Sequence, residues 1–199
     1  MLLAIDTSAG ASVAVVDGAG GSGAVLGSAD VADTRSHAEA IGRLISESLT
    51  QAGASPSDID GVVAGMGPGP FTGLRVGIAA AYAFAAGAGV PVHPVGSHEA
   101  VAFGTSGRVL VVTDARRREV AWSTFLDAEP LDGPHLAHPD ELDTVVEGYP
   151  LFHRIDAAQV SAASLGLRAL LLLARGESTG PDQPLYLRAP DVTPPKAAR

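Results

Sequence analysis

The stretch from Thr72 to about Gly87 limits what this chain can fold into more than any other. Val76, Ile78, Ala79, Ala80, Ala81, Tyr82, Ala83, Phe84, Ala85 and Ala86 crowd into it, and no charge follows Arg75 within it. The run is too long for a strand and reads as a helix opened by the loop Met66-Gly67-Pro68-Gly69-Pro70-Phe71. A helix lying on a sheet in a small domain keeps one face wet, whereas this one is apolar on nearly every face. Either the chain covers it on both sides or a partner covers its outer face. Gly73, Gly77 and Ala81 fall four apart, a smooth strip along which another helix backbone can approach closely. As a membrane span the run falls short. Between Val76 and Val92 it is broken by Gly77, Gly87, Gly89 and Pro91, below the ~20 strongly apolar residues needed. The start, Met1-Leu2-Leu3-Ala4-Ile5-Asp6, meets an acid too soon for a signal peptide. A soluble, cytoplasmic protein without membrane contact is expected.

Around that helix the chain alternates short apolar runs with turn residues. Leu2–Asp6 and Ala11–Val16 flank Thr7-Ser8-Ala9-Gly10 as a hairpin, and Ala24–Val31 follows as a third strand. Ser36 with Glu39 forms a capping box ahead of a helix carrying Ile41, Leu44, Ile45 and Leu49 at helical spacing, stopped by Gly53. Gly61–Gly65 and Val90–Val95 are strands on either side of the apolar helix. This β-β-β-α-β-α order predicts an α/β layered fold with a mixed sheet. A boundary at Gly104–Gly107 separates residues 1–104 from residues 105–188. The second unit holds strands Val109–Thr113 and Val120–Leu126 and a helix from Ala158 to about Ala174. The Pro-rich tail, 189–199, is expected to be disordered.

Composition removes several chemistries. Without cysteine there is no disulfide scaffold, thiol nucleophile, zinc ribbon or iron–sulfur site. The one lysine, Lys196, sits in the tail, so no phosphate-loop lysine exists. Thirteen basic against 22 acidic residues give a net charge of −9, which repels a nucleic-acid backbone. Arg116-Arg117-Arg118, the one dense basic cluster, is either a solvated turn or a contact for RNA or an acidic partner. Asp6-Thr7-Ser8 either holds a magnesium-bound phosphate or is an ordinary turn. Ser97-His98-Glu99-Ala100-Val101-Ala102 carries half of a zinc-protease helix but has alanine where the second histidine belongs. His135 and His138 precede an acidic loop that is expected to be solvated.

Read together, these motifs resemble the bacterial TsaB family. The carriers are Leu3-Ala4-Ile5-Asp6-Thr7-Ser8, Arg35-Ser36-His37-Ala38-Glu39, and above all Gly67-Pro68-Gly69-Pro70-Phe71-Thr72-Gly73-Leu74-Arg75-Val76-Gly77. Gly89-Val90-Pro91-Val92 through Ser97-His98-Glu99-Ala100, Asp114-Ala115-Arg116-Arg117 and Pro184-Leu185-Tyr186-Leu187-Arg188 follow in the same order. Pro70 stands where the family usually has serine, and Arg118 where it usually has glycine.

The resemblance implies an actin-like, sugar-kinase-like ATPase fold of two related domains, here with the second shortened. It implies a non-catalytic paralogue of TsaD that supports TsaD and the small ATPase TsaE in threonylcarbamoyladenosine formation on tRNA. The implied docking face comprises Ile41, Leu44, Ile45, Gly73, Leu74, Gly77, Ile78 and Ala81, which pair with TsaD or, without it, make a homodimer. Transfer RNA is reached only through the complex. No cofactor is expected, and Asp6, Thr7 and Ser8 are the residues to examine for one. In TsaD two histidines hold a metal at positions that align with Ser97 and Val101, so that site is not expected here and neither is a protease. The alternative is an ATP-dependent phosphotransferase acting on its own through Asp6.

Overall fold

The computed structural model describes residues 1–19, 23–32 and 37–188. The capping serine Ser36 and the tail 189–199 lie outside the described residues. Strands β1 (Leu2–Asp6), β2 (Ala11–Asp17), β3 (Ala24–Val31), β4 (Gly61–Gly65) and β5 (Val92–Val95) build one sheet, ordered β3-β2-β1-β4-β5. The first three are antiparallel neighbours, while β4 and β5 run parallel to β1. A second sheet contains β6 (Arg108–Asp114), β7 (Val120–Leu126), β8 (Glu129–Ala137) and β9 (His153–Asp156), ordered β8-β7-β6-β9. Its directions repeat those of the first four strands of the first sheet, and the counterpart of β5 is lacking among the described residues. Two related mixed sheets, the second shortened, make this the actin-like α/β fold.

Alternation along the strands sorts the core into layers. Leu3, Ile5, Val13, Val15, Val62 and Ala64 face α1 (His37–Ala52) and α2 (Phe71–Ala88), meeting Ile41, Leu44, Leu49, Ala81 and Ala85. Leu2, Ala4, Ala14, Val16 and Val63 face the other way. There the short α3 (Ser97–Ala102) contributes Ala100, and α5 (Ala162–Ala174) contributes Leu165 and Ala169. A central strand buried on both faces is a continuous apolar run, as Leu2–Ile5 is. Helix α5 follows the second sheet in sequence but forms a layer on the first. The core of the first sheet therefore draws on residues from both sides of position 104. On the second sheet, Leu110, Val112 and Trp122 pack under α4 (Leu142–Val145) and Val146. Its other face, with Val109, Val111 and Phe125, meets Ala102 of α3.

The small-residue strip on α2 is explained by this packing, which corrects one expectation. Leu74, Gly77, Ala81 and Ala85 are the buried stripe of the helix, turned onto its own sheet. A Cβ on Gly77 would lie 2.3 Å from Thr7 Oγ1. The strip admits the end of β1 rather than a helix of another subunit. Gly77→Ala is accordingly expected to destabilise the chain by ~1–3 kcal/mol through overpacking. Urea denaturation measures this, and an unchanged midpoint would place Gly77 outside the core.

Candidate functional site

At the end of β1 three consecutive side chains tie the fold together. Asp6 is buried, and its Oδ1 accepts the Ser8 N–H at 2.8 Å and the Ser8 hydroxyl at 2.6 Å. Its Oδ2 accepts the Ser97 hydroxyl at 2.5 Å, and Ser97 Oγ in turn accepts the Gly67 N–H at 3.0 Å. Gly65 lies so close that a Cβ there would sit 1.9 Å from Asp6 Oδ2. Thr7 Oγ1 donates to the Gly73 carbonyl at 2.7 Å and accepts the Gly77 N–H at 2.9 Å. Those two backbone groups are ones that an α-helix normally joins to each other, so Thr7 bridges a rung of α2.

This geometry changes the reading of Asp6, Thr7 and Ser8. Both oxygens of Asp6 accept from protein donors. Thr7 is likewise engaged as donor and acceptor. The triplet acts as a structural joint between β1, α2 and α3. The Asp-Thr-Ser and Gly-Pro-Gly-Pro-Phe-Thr-Gly strings, far apart in sequence, meet through Thr7 and Gly73. The glycines at 65 and 77 were the signal that the two touch.

The His98-Glu99 pair also has structural partners. His98 is buried between the Ser123 hydroxyl on β7 (Nδ1, 2.8 Å) and the Thr113 hydroxyl on β6 (Nε2, 2.8 Å). Burial holds its pKa down from 6.5 to about 3, so the ring stays neutral. Glu99 accepts the Gly96 N–H at 3.3 Å and Arg168 Nε at 3.1 Å. Burial pushes its pKa up against the opposing Arg168 charge. Arg168, buried on α5, also reaches Glu129 at 2.8 Å, and Arg175 reaches Glu129 at 2.9 Å. These hydrogen bonds, Arg168 first, bring the Glu129 pKa down to about 2. Helices of the first sheet thus grip strands of the second through one neutral and one ionic contact.

Ser97 is spent on Asp6, and half-buried Val101 packs between apolar clusters. Among the described residues no three His, Asp or Glu side chains converge as metal ligands. His135 bonds Asp132 at 2.8 Å on the Trp122 ring, whereas His138 faces the Arg118 carbonyl at 3.1 Å, so the two do not share a site. The Gly-Pro-Gly-Pro-Phe-Thr-Gly-Leu-Arg string does meet the Pro-Leu-Tyr-Leu-Arg string. The Arg75 guanidinium lies 3.8 Å above the Phe71 ring and donates to the Tyr186 hydroxyl at 3.0 Å. Arg116, Arg117 and Arg118 form the β6–β7 turn, all with positive φ (65°, 57° and 64°).

Of the expected docking residues, Ile41, Leu44, Leu74, Gly77 and Ala81 are buried within the chain, and Ile45, Gly73 and Ile78 are half-buried. The exposed face of α2 is offset from them. It presents Ala79, Tyr82, Ala83 and Ala86, with Tyr82 at 47% exposure. By length and composition α2 alone among the described helices could cross a membrane, yet it lies on the first sheet with its stripe in the core.

Comparison with known proteins places this arrangement. Residues 30–147 match the family model of TsaD, tRNA N6-adenosine threonylcarbamoyltransferase. The chain is 39% identical over 176 residues to an uncharacterized protein of Mycobacterium tuberculosis, covering 85% of this chain and 83% of that one. It is 34% identical over 118 residues to the tRNA threonylcarbamoyladenosine biosynthesis protein TsaB of Escherichia coli, covering 57% and 49% of the two chains. The crystal structure of an uncharacterized Pseudomonas aeruginosa protein with similarity to peptidase YeaZ superposes with a TM-score of 0.73 at 27% identity. That match covers 94% of this chain and 99% of the other. YeaZ from Pseudomonas aeruginosa gives 0.69 at 26% identity over the same shares.

The buried imidazole yields a pH prediction. In the native state His98 remains neutral down to about pH 3, while in the unfolded chain it takes a proton below its ordinary value of 6.5. The unfolded state then binds more protons, so this contribution to stability is complete above pH 6.5 and declines as the pH falls. Urea titrations of wild type and His98→Gln between about pH 8 and about pH 5, with the variant cancelling the carboxylates common to both, should show the wild type losing up to ~1.4 kcal/mol more per pH unit below that value. Parallel curves would mean that His98 is solvated.

Proposed function

The chain belongs to the TsaD family as a TsaB-like protein, and on that premise we propose that it is a non-catalytic subunit for making threonylcarbamoyladenosine in tRNA. Its partners in this reading are homologues of TsaD and TsaE, in the cytoplasm. The observation that carries the partnership is the outer face of α2, where Ala79, Tyr82, Ala83 and Ala86 stand exposed on a helix with no charge after Arg75. Half-buried Ile45 and Ile78 border it and extend the apolar surface toward α1. Small side chains let a second pair of helices approach closely, and the apolar area gained drives association. TsaD occupies this face in the working complex; a second copy of the chain occupies it when TsaD is absent.

The non-catalytic role is supported by the structural engagement of Asp6, whose two carboxylate oxygens accept from Ser8 and Ser97. A net charge of −9 argues that tRNA is held by the complex rather than by this chain alone. No cluster of three His, Asp or Glu side chains is present among the described residues to hold a protease's metal.

Tyr82→Glu and Ala83→Arg place charge on the exposed face without touching the core stripe. Each is expected to weaken co-elution with the cognate TsaD homologue by about tenfold or more. Threonylcarbamoyladenosine formation reconstituted with TsaD and TsaE should fall in parallel, while the melting temperature of the isolated chain is unchanged. Full binding by both variants would remove α2 from the interface. Full tRNA modification in the absence of this chain would remove the subunit role itself.

A further inference from the structure

The chain crosses the molecule once more after its last helix. From Glu177 to Arg188 it forms neither helix nor strand, yet it is pinned at successive points. Gly180 passes β5 so closely that a Cβ there would lie 2.7 Å from the Pro94 carbonyl oxygen. The Leu185 N–H donates to the Met66 carbonyl, just past β4, at 2.8 Å. The Tyr186 ring lies 4.9 Å from the Phe71 ring at the start of α2, and its hydroxyl accepts from Arg75. Arg188 then reaches the β6–β7 turn. It donates to the carbonyls of Ala115 at 3.2 Å and Arg116 at 3.5 Å, and it pairs with Glu119. The segment therefore runs from the first sheet to the second.

The two ends are held in different ways. None of residues 177–188 belongs to the buried apolar clusters of either sheet. Pro181 and Pro184 restrict the backbone and lower the entropy lost in holding it extended. On the first sheet the hold centres on a backbone hydrogen bond and an aromatic contact, which salt barely screens. On the second sheet a single guanidinium makes two hydrogen bonds and a partly exposed ion pair. Such a pair contributes little and weakens as salt is added. A segment with few buried apolar contacts opens at a fraction of the cost of global unfolding. Tyr186, Leu187 and Arg188 also form one wall of a 380 Å³ cleft, facing the loop Pro68–Thr72 and the turn Ala115–Arg117.

We propose that Pro184–Arg188 is a releasable strap along that cleft. Closed, it ties the end of β4 and the start of α2 to the β6–β7 turn. It lets go at Arg188 first, because one charged side chain makes that attachment, and it swings about the Leu185–Met66 bond. The cleft then loses a wall while both sheets stay folded and joined through His98 and Arg168. Opening is governed by ionic strength and by the Glu119 carboxylate. It takes place in the isolated chain, so its test does not depend on the partner reading.

The chain contains no cysteine, so Leu187→Cys gives the full chain a single thiol within the strap. Its rate of alkylation by iodoacetamide, an uncharged reagent, reads the open fraction. At low ionic strength the thiol should react about tenfold or more slowly than in the urea-unfolded chain. Salt at about 0.5 M should speed the reaction several-fold. Adding Glu119→Gln or Arg188→Gln should speed the low-salt reaction comparably and remove the response to salt, with the melting temperature unchanged within about 2 °C. A second readout needs no cysteine. Trypsin cleaves after Arg188 only when that side chain is free, so cleavage there should be several-fold faster in Glu119→Gln than in wild type at the same salt concentration. The proposal is overturned if the thiol reacts as fast in the folded chain as in urea, or if Glu119→Gln alters neither alkylation nor cleavage. It is equally overturned if the salt response survives in Glu119→Gln, or if the melting temperature falls in step with the faster reaction, since opening would then be global unfolding.

Discussion

The Thr7 hydroxyl, set between the carbonyl of Gly73 and the N–H of Gly77, is the contact on which the first half of the fold depends. A β-strand end and a helix seldom approach so closely, because side chains keep their backbones ~10 Å apart. Here glycine at 77 removes a side chain that would meet Thr7, and the threonine reaches the helix ladder itself. The neighbouring Asp6 performs the same service for α3 by accepting the Ser97 hydroxyl. One tripeptide thus sets the position of two helices relative to the central strand. The result is a joint built of protein donors and acceptors.

The first sheet was legible because its strands are uninterrupted apolar runs with clear punctuation. Leu2–Asp6, Ala24–Val31 and Gly61–Gly65 have the bounds read from sequence, and α2 differs by a residue at each end. The second sheet was less so. Strand β8 carries Pro130, Gly133 and Pro134, which signal turns, yet an edge strand tolerates proline where its N–H would face outward. Strand β9 has four residues, among them His153, Arg154 and Asp156, and only pairing with β6 makes it a strand. Helix α5 begins at Ala162, where Ser161 accepts the Ser164 N–H at 3.3 Å, rather than at Ala158. That α5 returns to the first sheet is a long-range fact no local pattern encodes.

The two sheets are coupled by buried polar groups, among them the His98-Glu99 pair that stands out in the sequence. His98 spans from α3 to β6 and β7, and Arg168 spans from α5 to Glu99 and Glu129. Sequence alone presents a His-Glu pair on a helix, with alanine at 102 where a second metal-binding histidine would stand. The structure separates them by face: the imidazole turns to the second sheet, while the carboxylate turns to α5. A neutral imidazole satisfied at both nitrogens and an arginine shared between two glutamates are ways to bury polar groups without leaving them unpaired. Both contacts bind one half of the fold to the other, so the relation between the sheets is a packed interior rather than an open hinge.

Helix α2 shows why its outer surface could not be identified from composition. Small residues occupy both of its sides, for different reasons. Inward, Gly77, Ala81 and Ala85 allow the central strands to come near. Outward, Ala79, Ala83 and Ala86 leave a shallow face from which Tyr82 projects. Spacing of four residues picks out either set equally well, and the glycine-bearing set was the more conspicuous. Contact with Thr7 settles which side is inward. The remaining side is then defined by geometry rather than by hydropathy, since a helix this apolar has no polar face to mark where solvent should be.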